Sequence, residues 1–94
     1  MSLSYKQADR IIKKYTPDGK YLKNTFYREK NKTYKISQLS KHKINDRECI
    51  VIAQLVDIEN GKQYIGTKLF SSLAKEMNID FSIEDYSSKE SGKN

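Results

Sequence analysis

The sequence predicts a small α+β domain: an N-terminal helix, a four-stranded antiparallel meander and a short C-terminal helix. Three observations carry that prediction. Apolar residues recur at helical spacing near each end of the chain, strand-like runs fill the middle, and short turn-forming segments separate those runs. With 94 residues the chain has room for one domain. The expected domain spans 1–83, with a disordered tail over 84–94.

The first helix is expected over 5–15. Tyr5, Ala8, Ile11, Ile12 and Tyr15 form one apolar stripe. Ser4 and Gln7 have the spacing of a capping box, and Asp9 stands four residues before Lys13 in the favourable order for an ion pair. Pro17 disfavours helical geometry at Thr16, and Pro17-Asp18-Gly19 is turn chemistry, so the helix stops there.

Residues 20–28 and 33–40 are rich in Tyr, Thr, Phe and Ile, with the polar Glu29-Lys30-Asn31-Lys32 between them, and read as a hairpin. Residues 41–46 read as a polar, basic connection. Residues 47–58 form the longest apolar run and are expected as the central strand, buried on both faces over its first half. Asn60-Gly61 is the strongest hairpin signal in the chain, with 62–68 returning as the partner strand.

Phe70, Leu73, Ala74 and Met77 predict a short helix over 70–78, and the alternation of Ile79, Phe81 and Ile83 predicts a possible fifth strand. Consecutive strands with short links imply a meander, either an open curled sheet or a small SH3-like or OB-like barrel. The expected core is Ile11, Ile12, Leu22, Phe26, Ile36, Ile50, Val51, Ile52, Leu55, Phe70 and Leu73.

Composition narrows the function classes. Hydrophobic residues are 36% and charged residues 32% of the chain. No apolar stretch approaches a membrane span, and the N-terminus lacks the apolar core of a signal peptide, so a cytoplasmic protein is expected. The single cysteine, Cys49, lies in the most apolar run and reads as a buried thiol. No catalytic residue, cofactor or metal site is predicted. The one histidine, His42, sits between Lys41 and Lys43 with no obvious partner acid. The four glycines are scattered, which excludes a phosphate-cradling glycine loop. One His and one Cys cannot build a structural zinc site. Asp57 and Glu59, beside the Asn60-Gly61 turn, read as a solvated strand end.

Charge is the strongest functional signal. The net charge is +6. Residues 1–47 carry 13 basic and four acidic side chains, a net of +9, whereas residues 48–94 carry five lysines and eight acids, a net of −3. Such polarity can orient a protein on a polyanion. If Glu29 faces Thr33 in the first hairpin, Phe26 lies opposite Ile36 on the core side. Tyr21, Lys23, Thr25, Tyr27, Lys35 and Ser37 then share the other face, extended by Lys41 and Lys43. Aromatic rings interleaved with cations on exposed strands suit nucleic acid, with bases stacking on rings while lysines track phosphates. The expected site is therefore Tyr21, Lys23, Tyr27, Lys35, Lys41 and Lys43 in a non-enzymatic nucleic-acid-binding protein. The alternative is a protein-interaction module that docks on a larger enzyme or assembly, with Ile83-Glu84-Asp85-Tyr86 as a candidate docking segment.

Overall fold

The computed structural model describes residues 2–59 and 63–86, without the side chains of 63–65. Helix α1 (Tyr5–Lys14) comes first, then β1 (Tyr27–Glu29), β2 (Lys32–Lys43), β3 (Cys49–Asp57), β4 (Gln63–Leu69) and α2 (Phe70–Glu76). The strands form one antiparallel sheet in the order β1-β2-β3-β4, curled into a half-barrel. The α+β meander follows the sequence expectation. The barrel alternative does not: β1 and β4 approach each other through side chains, with Lys68 Nζ 3.9 Å from Glu29 Oε1, and no ladder joins them among the described residues.

Helix α1 begins as its sequence dictates. The Gln7 N–H donates to Ser4 Oγ at 3.2 Å, and the Ser4 N–H donates to Gln7 Oε1 at 2.8 Å, so two N–H groups left free at the helix start are satisfied reciprocally. Ala8, Ile11 and Tyr15 are buried, and Tyr5 and Ile12 are partly so. The expected Asp9–Lys13 pair is replaced by a longer-range one, Lys41 Nζ to Asp9 Oδ1 at 2.8 Å, which ties α1 to β2.

Residues 20–24 are not strand. Lys23 and Leu22 N–H groups donate to the Gly19 carbonyl, and the Thr25 N–H donates to the Leu22 carbonyl, so local turns satisfy this backbone instead of a ladder. The loop is anchored by buried Leu22 and by the Tyr21 ring, 5.1 Å from that of Tyr15.

The first hairpin closes on Lys30-Asn31 alone, both at positive φ (54° and 64°), the signature of a two-residue type I′ turn. Glu29 therefore faces Lys32, Arg28 faces Thr33 and Tyr27 faces Tyr34. The expected pairing of Glu29 with Thr33 is off by one residue, and such a slip exchanges the two faces of the strand. Tyr27 is buried at 8% exposure, and Phe26, assigned to the core from sequence, is 45% exposed.

Strand β2 runs on to Lys43, past the expected end at residue 40. The connection is the shorter bend 44–47, where Asn45 Oδ1 accepts from the N–H groups of Arg47 and Glu48. Strand β3 alternates: Cys49, Val51, Ala53, Leu55 and Asp57 are buried, while Ile50, Ile52, Gln54 and Val56 are half-buried. The run is thus covered fully on one face, not on both. The Asn60-Gly61 turn lies outside the described residues.

The inner face of the sheet packs against Ala8 and Ile11 of α1, Phe70 and Leu73 of α2, and Leu3, which bridges to Cys49. Beyond α2 there is no fifth strand. Residues 77–82 are irregular, and Ile83–Tyr86 form a helical turn, with the Tyr86 N–H donating to the Ile83 carbonyl. Phe81 is held by aromatic contacts, its ring 4.8 Å from Phe70, 5.4 Å from Tyr15 and 5.7 Å from Tyr86. The expected tail boundary at 84 also moves. Tyr86 is 8% exposed, and its carbonyl accepts from Gln7 Nε2 at 2.6 Å. The remainder of the expected tail, 87–94, lies outside the described residues.

Candidate nucleic-acid interface

The six residues expected to form one face are divided among three places. Tyr27 lies on the inner face against Tyr34, ring centroids 6.0 Å apart, with its hydroxyl donating to Glu29 Oε1 at 2.7 Å. That bond, then burial, then the Glu76 carboxylate raise the Tyr27 pKa well above its ordinary value, and the same bond holds the Glu29 carboxyl below its own. Lys68 stands 5.1 Å from the Tyr27 ring centroid. This ring is built into the seam between β1 and β4 and offers no face to a base.

The three sheet lysines each meet an acid. Lys35, on the opposite face from Tyr34, lies 3.7 Å from Asp18. Lys41 sits on the α1 side, paired with Asp9, and that hydrogen bond raises its pKa. Lys43 is 3.4 Å from Asp46. Tyr21 and Lys23 lie on the 19–25 loop and not on the expected strand face: Tyr21 is half-buried, and Lys23 is exposed and forms no ion pair among the described residues.

A different set of cations gathers around Tyr21. Lys14 Nζ lies 5.2 Å from the Tyr21 ring centroid and 5.5 Å from that of Tyr15, and Lys20 Nζ lies 5.4 Å from Tyr21. These are cation–π distances that position ammonium groups without neutralising them. One turn before Lys14, the Arg10 guanidinium stands 5.9 Å from the Tyr86 ring. Arg10, Lys14, Asp85 and Tyr86 line a shallow groove, so one exposed carboxylate sits within this cationic surface.

The hairpin contributes a second part. Arg28 shares its face with Thr33, opposite that of Tyr27, and Phe26 immediately precedes β1 with its ring exposed. Sequence reasoning missed Phe26 because the assumed register put it in the core. The available signal was Asn31, a residue that tolerates the left-handed region and so permits the two-residue turn.

Cys49 is buried, and burial raises its thiol pKa, which makes it inert. His42 is exposed on β2. Asp57, read as solvated, is 3% exposed, and its Oδ1 accepts from the Glu59 N–H at 2.9 Å. Among the described residues no three of His, Cys, Asp and Glu converge as metal ligands, and no helix is long and apolar enough to cross a membrane. No family model, curated protein or solved structure significantly matches the chain.

Proposed function

We propose that the protein binds nucleic acid through the cations of α1, the 19–25 loop and the first hairpin. One observation carries the reading. The three acids of residues 5–35 are engaged by lysines of the sheet: Asp9 by Lys41, Asp18 by Lys35 and Glu29 by Lys68. Lys6, Arg10, Lys13, Lys14, Lys20, Lys23 and Arg28 are all exposed and form no ion pair among the described residues. Uncompensated cations concentrated in one stretch of a small domain are the electrostatic footprint expected for a polyanion. Retention of the folded protein on immobilised single- and double-stranded DNA and RNA, followed across a salt series, tests it. Strong retention at low salt that falls steeply as salt rises supports the proposal, because neutralised phosphates release counterions. No retention on any nucleic acid at low salt overturns it.

A separate observation favours a protein partner. Ile50, Ile52 and Val56 are half-buried on the outer face of the sheet, Ile58 is half-buried just past it, and none belongs to the core cluster. Branched aliphatic residues on a second sheet face suit a protein contact. A footprint of a bound protein on these four residues would give this reading precedence.

A further inference from the structure

We infer that the preferred ligand is single-stranded nucleic acid and that Phe26 is the residue on which an unpaired base stacks. The inference rests on the nucleic-acid reading above and deepens it. It starts from an exposed ring outside the core. Phe26 is 45% exposed, lies outside the core cluster and makes no aromatic contact among the described residues. An exposed phenyl ring on a small soluble domain loses nothing structural when covered, and gains whatever the ligand's apolar surface offers.

Its surroundings define what covers it. The Thr25 hydroxyl donates to the Tyr21 carbonyl at 3.3 Å, and the Thr25 N–H donates to the Leu22 carbonyl, so the loop folds back on itself one residue before Phe26. Lys20, Tyr21 and Lys23 on that loop precede the ring, and Arg28 on β1 follows it, within a short stretch of chain that these turns pin locally. Lys20, Lys23 and Arg28 are exposed and unpaired among the described residues. A ligand for this arrangement presents a flat apolar face and carries negative charge on both sides of it. A nucleotide in a single strand has both, its base for the ring and its flanking phosphates for the cations.

A duplex satisfies only half of the arrangement. Its phosphates can meet the cations, but its base faces are stacked on one another, so Phe26 gains contact only by wedging between base steps at an unstacking cost of a few kcal/mol. Among the tyrosines whose side chains are described, none is an equivalent platform: Tyr34 is partly buried with its ring 6.0 Å from that of Tyr27, and Tyr5, also partly buried, has Lys41 Nζ 5.7 Å from its ring centroid. Tyr15, Tyr27 and Tyr86 are buried, and Tyr21 already holds Lys14 and Lys20 against its ring.

The test compares equilibrium binding of the full chain to a single-stranded oligonucleotide and to a duplex of equal length. Wild-type protein is expected to prefer the single strand. Phe26→Leu keeps an apolar side chain but removes the flat ring, and should weaken single-strand binding about tenfold, given roughly 1–3 kcal/mol per stacked base. Duplex binding and the salt slope should stay unchanged. Phe26→Trp introduces the only tryptophan in the chain and retains the platform, so its fluorescence should be quenched by the single strand and not by the duplex. If the wild type binds nucleic acid but Phe26→Leu binds the single strand within twofold of wild type, this inference falls while the nucleic-acid reading stands. If the wild type binds neither form, both fall.

Discussion

The one-residue difference in hairpin register makes a prediction in which two adjacent residues exchange roles. Tyr27 is 8% exposed, its ring lies 6.0 Å from the Tyr34 ring, and Lys68 Nζ stands 5.1 Å from its ring centroid. Removing a buried aromatic side chain to alanine costs about 3–5 kcal/mol, through lost transfer energy and an unfilled cavity. Strand β1 is only three residues long and lies at the edge of the sheet, where the site can partly collapse, so Tyr27→Ala belongs at the lower end, about 3 kcal/mol. Phe26 is 45% exposed and lies outside the core cluster, so Phe26→Ala should cost less than about 1 kcal/mol. Urea unfolding of the two variants beside wild type measures both from the shift in midpoint at constant slope. In the register read from sequence alone the ranking reverses. A larger loss for Phe26→Ala than for Tyr27→Ala would refute the type I′ turn at Lys30-Asn31 and the arrangement of the interface with it.

Three further outcomes follow from the packing. Leu55→Ala, at a fully buried inner-face site, should cost about 2–5 kcal/mol, and Ile52→Ala, half-buried on the outer face, clearly less; equal losses in denaturant unfolding would mean the sheet is covered on both faces. Truncation before Tyr86 should lower the thermal midpoint, because it removes the acceptor for Gln7 and the ring stacked on Phe81; an unchanged midpoint would return Tyr86 to the tail. The Tyr15 pKa is raised first by burial and then by its neighbours Tyr86 and Asp80, so the folded state binds its proton more tightly than the unfolded state does. Stability should therefore hold below the ordinary tyrosine value of 10.0 and fall as pH rises past it. Tyr15→Phe should flatten that alkaline loss, and an unchanged alkaline limb in pH-dependent unfolding would contradict the assignment.

Local signals in the sequence were legible where one short segment settles the structure. Ser4 and Gln7 make the capping box that their spacing predicts, and the apolar stripes of α1 and α2 identify their buried faces. The order of four strands followed from turn spacing. What failed was everything that depends on a choice between near-equal pairings. Lys30 at φ 54° is an uncommon residue for a left-handed position, so its composition did not announce a two-residue turn, and the register slipped by one. That single slip moved Tyr27 inward, released Phe26 and dissolved the expected face.

The lysines failed for a different reason. Lys41 and Asp9 are 32 positions apart in sequence and meet only once α1 lies across β2, so charge counting along the chain could not tell paired from unpaired cations. Tyr86 was equally hidden, since its burial depends on Gln7 and Phe81 and not on its polar neighbours in sequence. The first half remains basic, and the proposed interface is read from its unpaired cations. The proposed interface therefore draws on α1, the loop and the hairpin instead of the sheet lysines.

The measurement that tests the proposed function most directly is the salt dependence of single-strand binding in two triple variants that remove equal charge. Lys14→Ala, Lys20→Ala and Lys23→Ala together take away unpaired cations; Lys35→Ala, Lys41→Ala and Lys43→Ala together take away paired ones. Each lost phosphate contact lowers the slope of log K against log salt by about 0.7 on a single strand, so the first set should flatten it by about 2. The second set should leave the slope close to that of wild type. Equal flattening by both sets, or a larger effect from the paired lysines, would contradict the account, because net charge and not the arrangement of these cations would then be what the ligand reads.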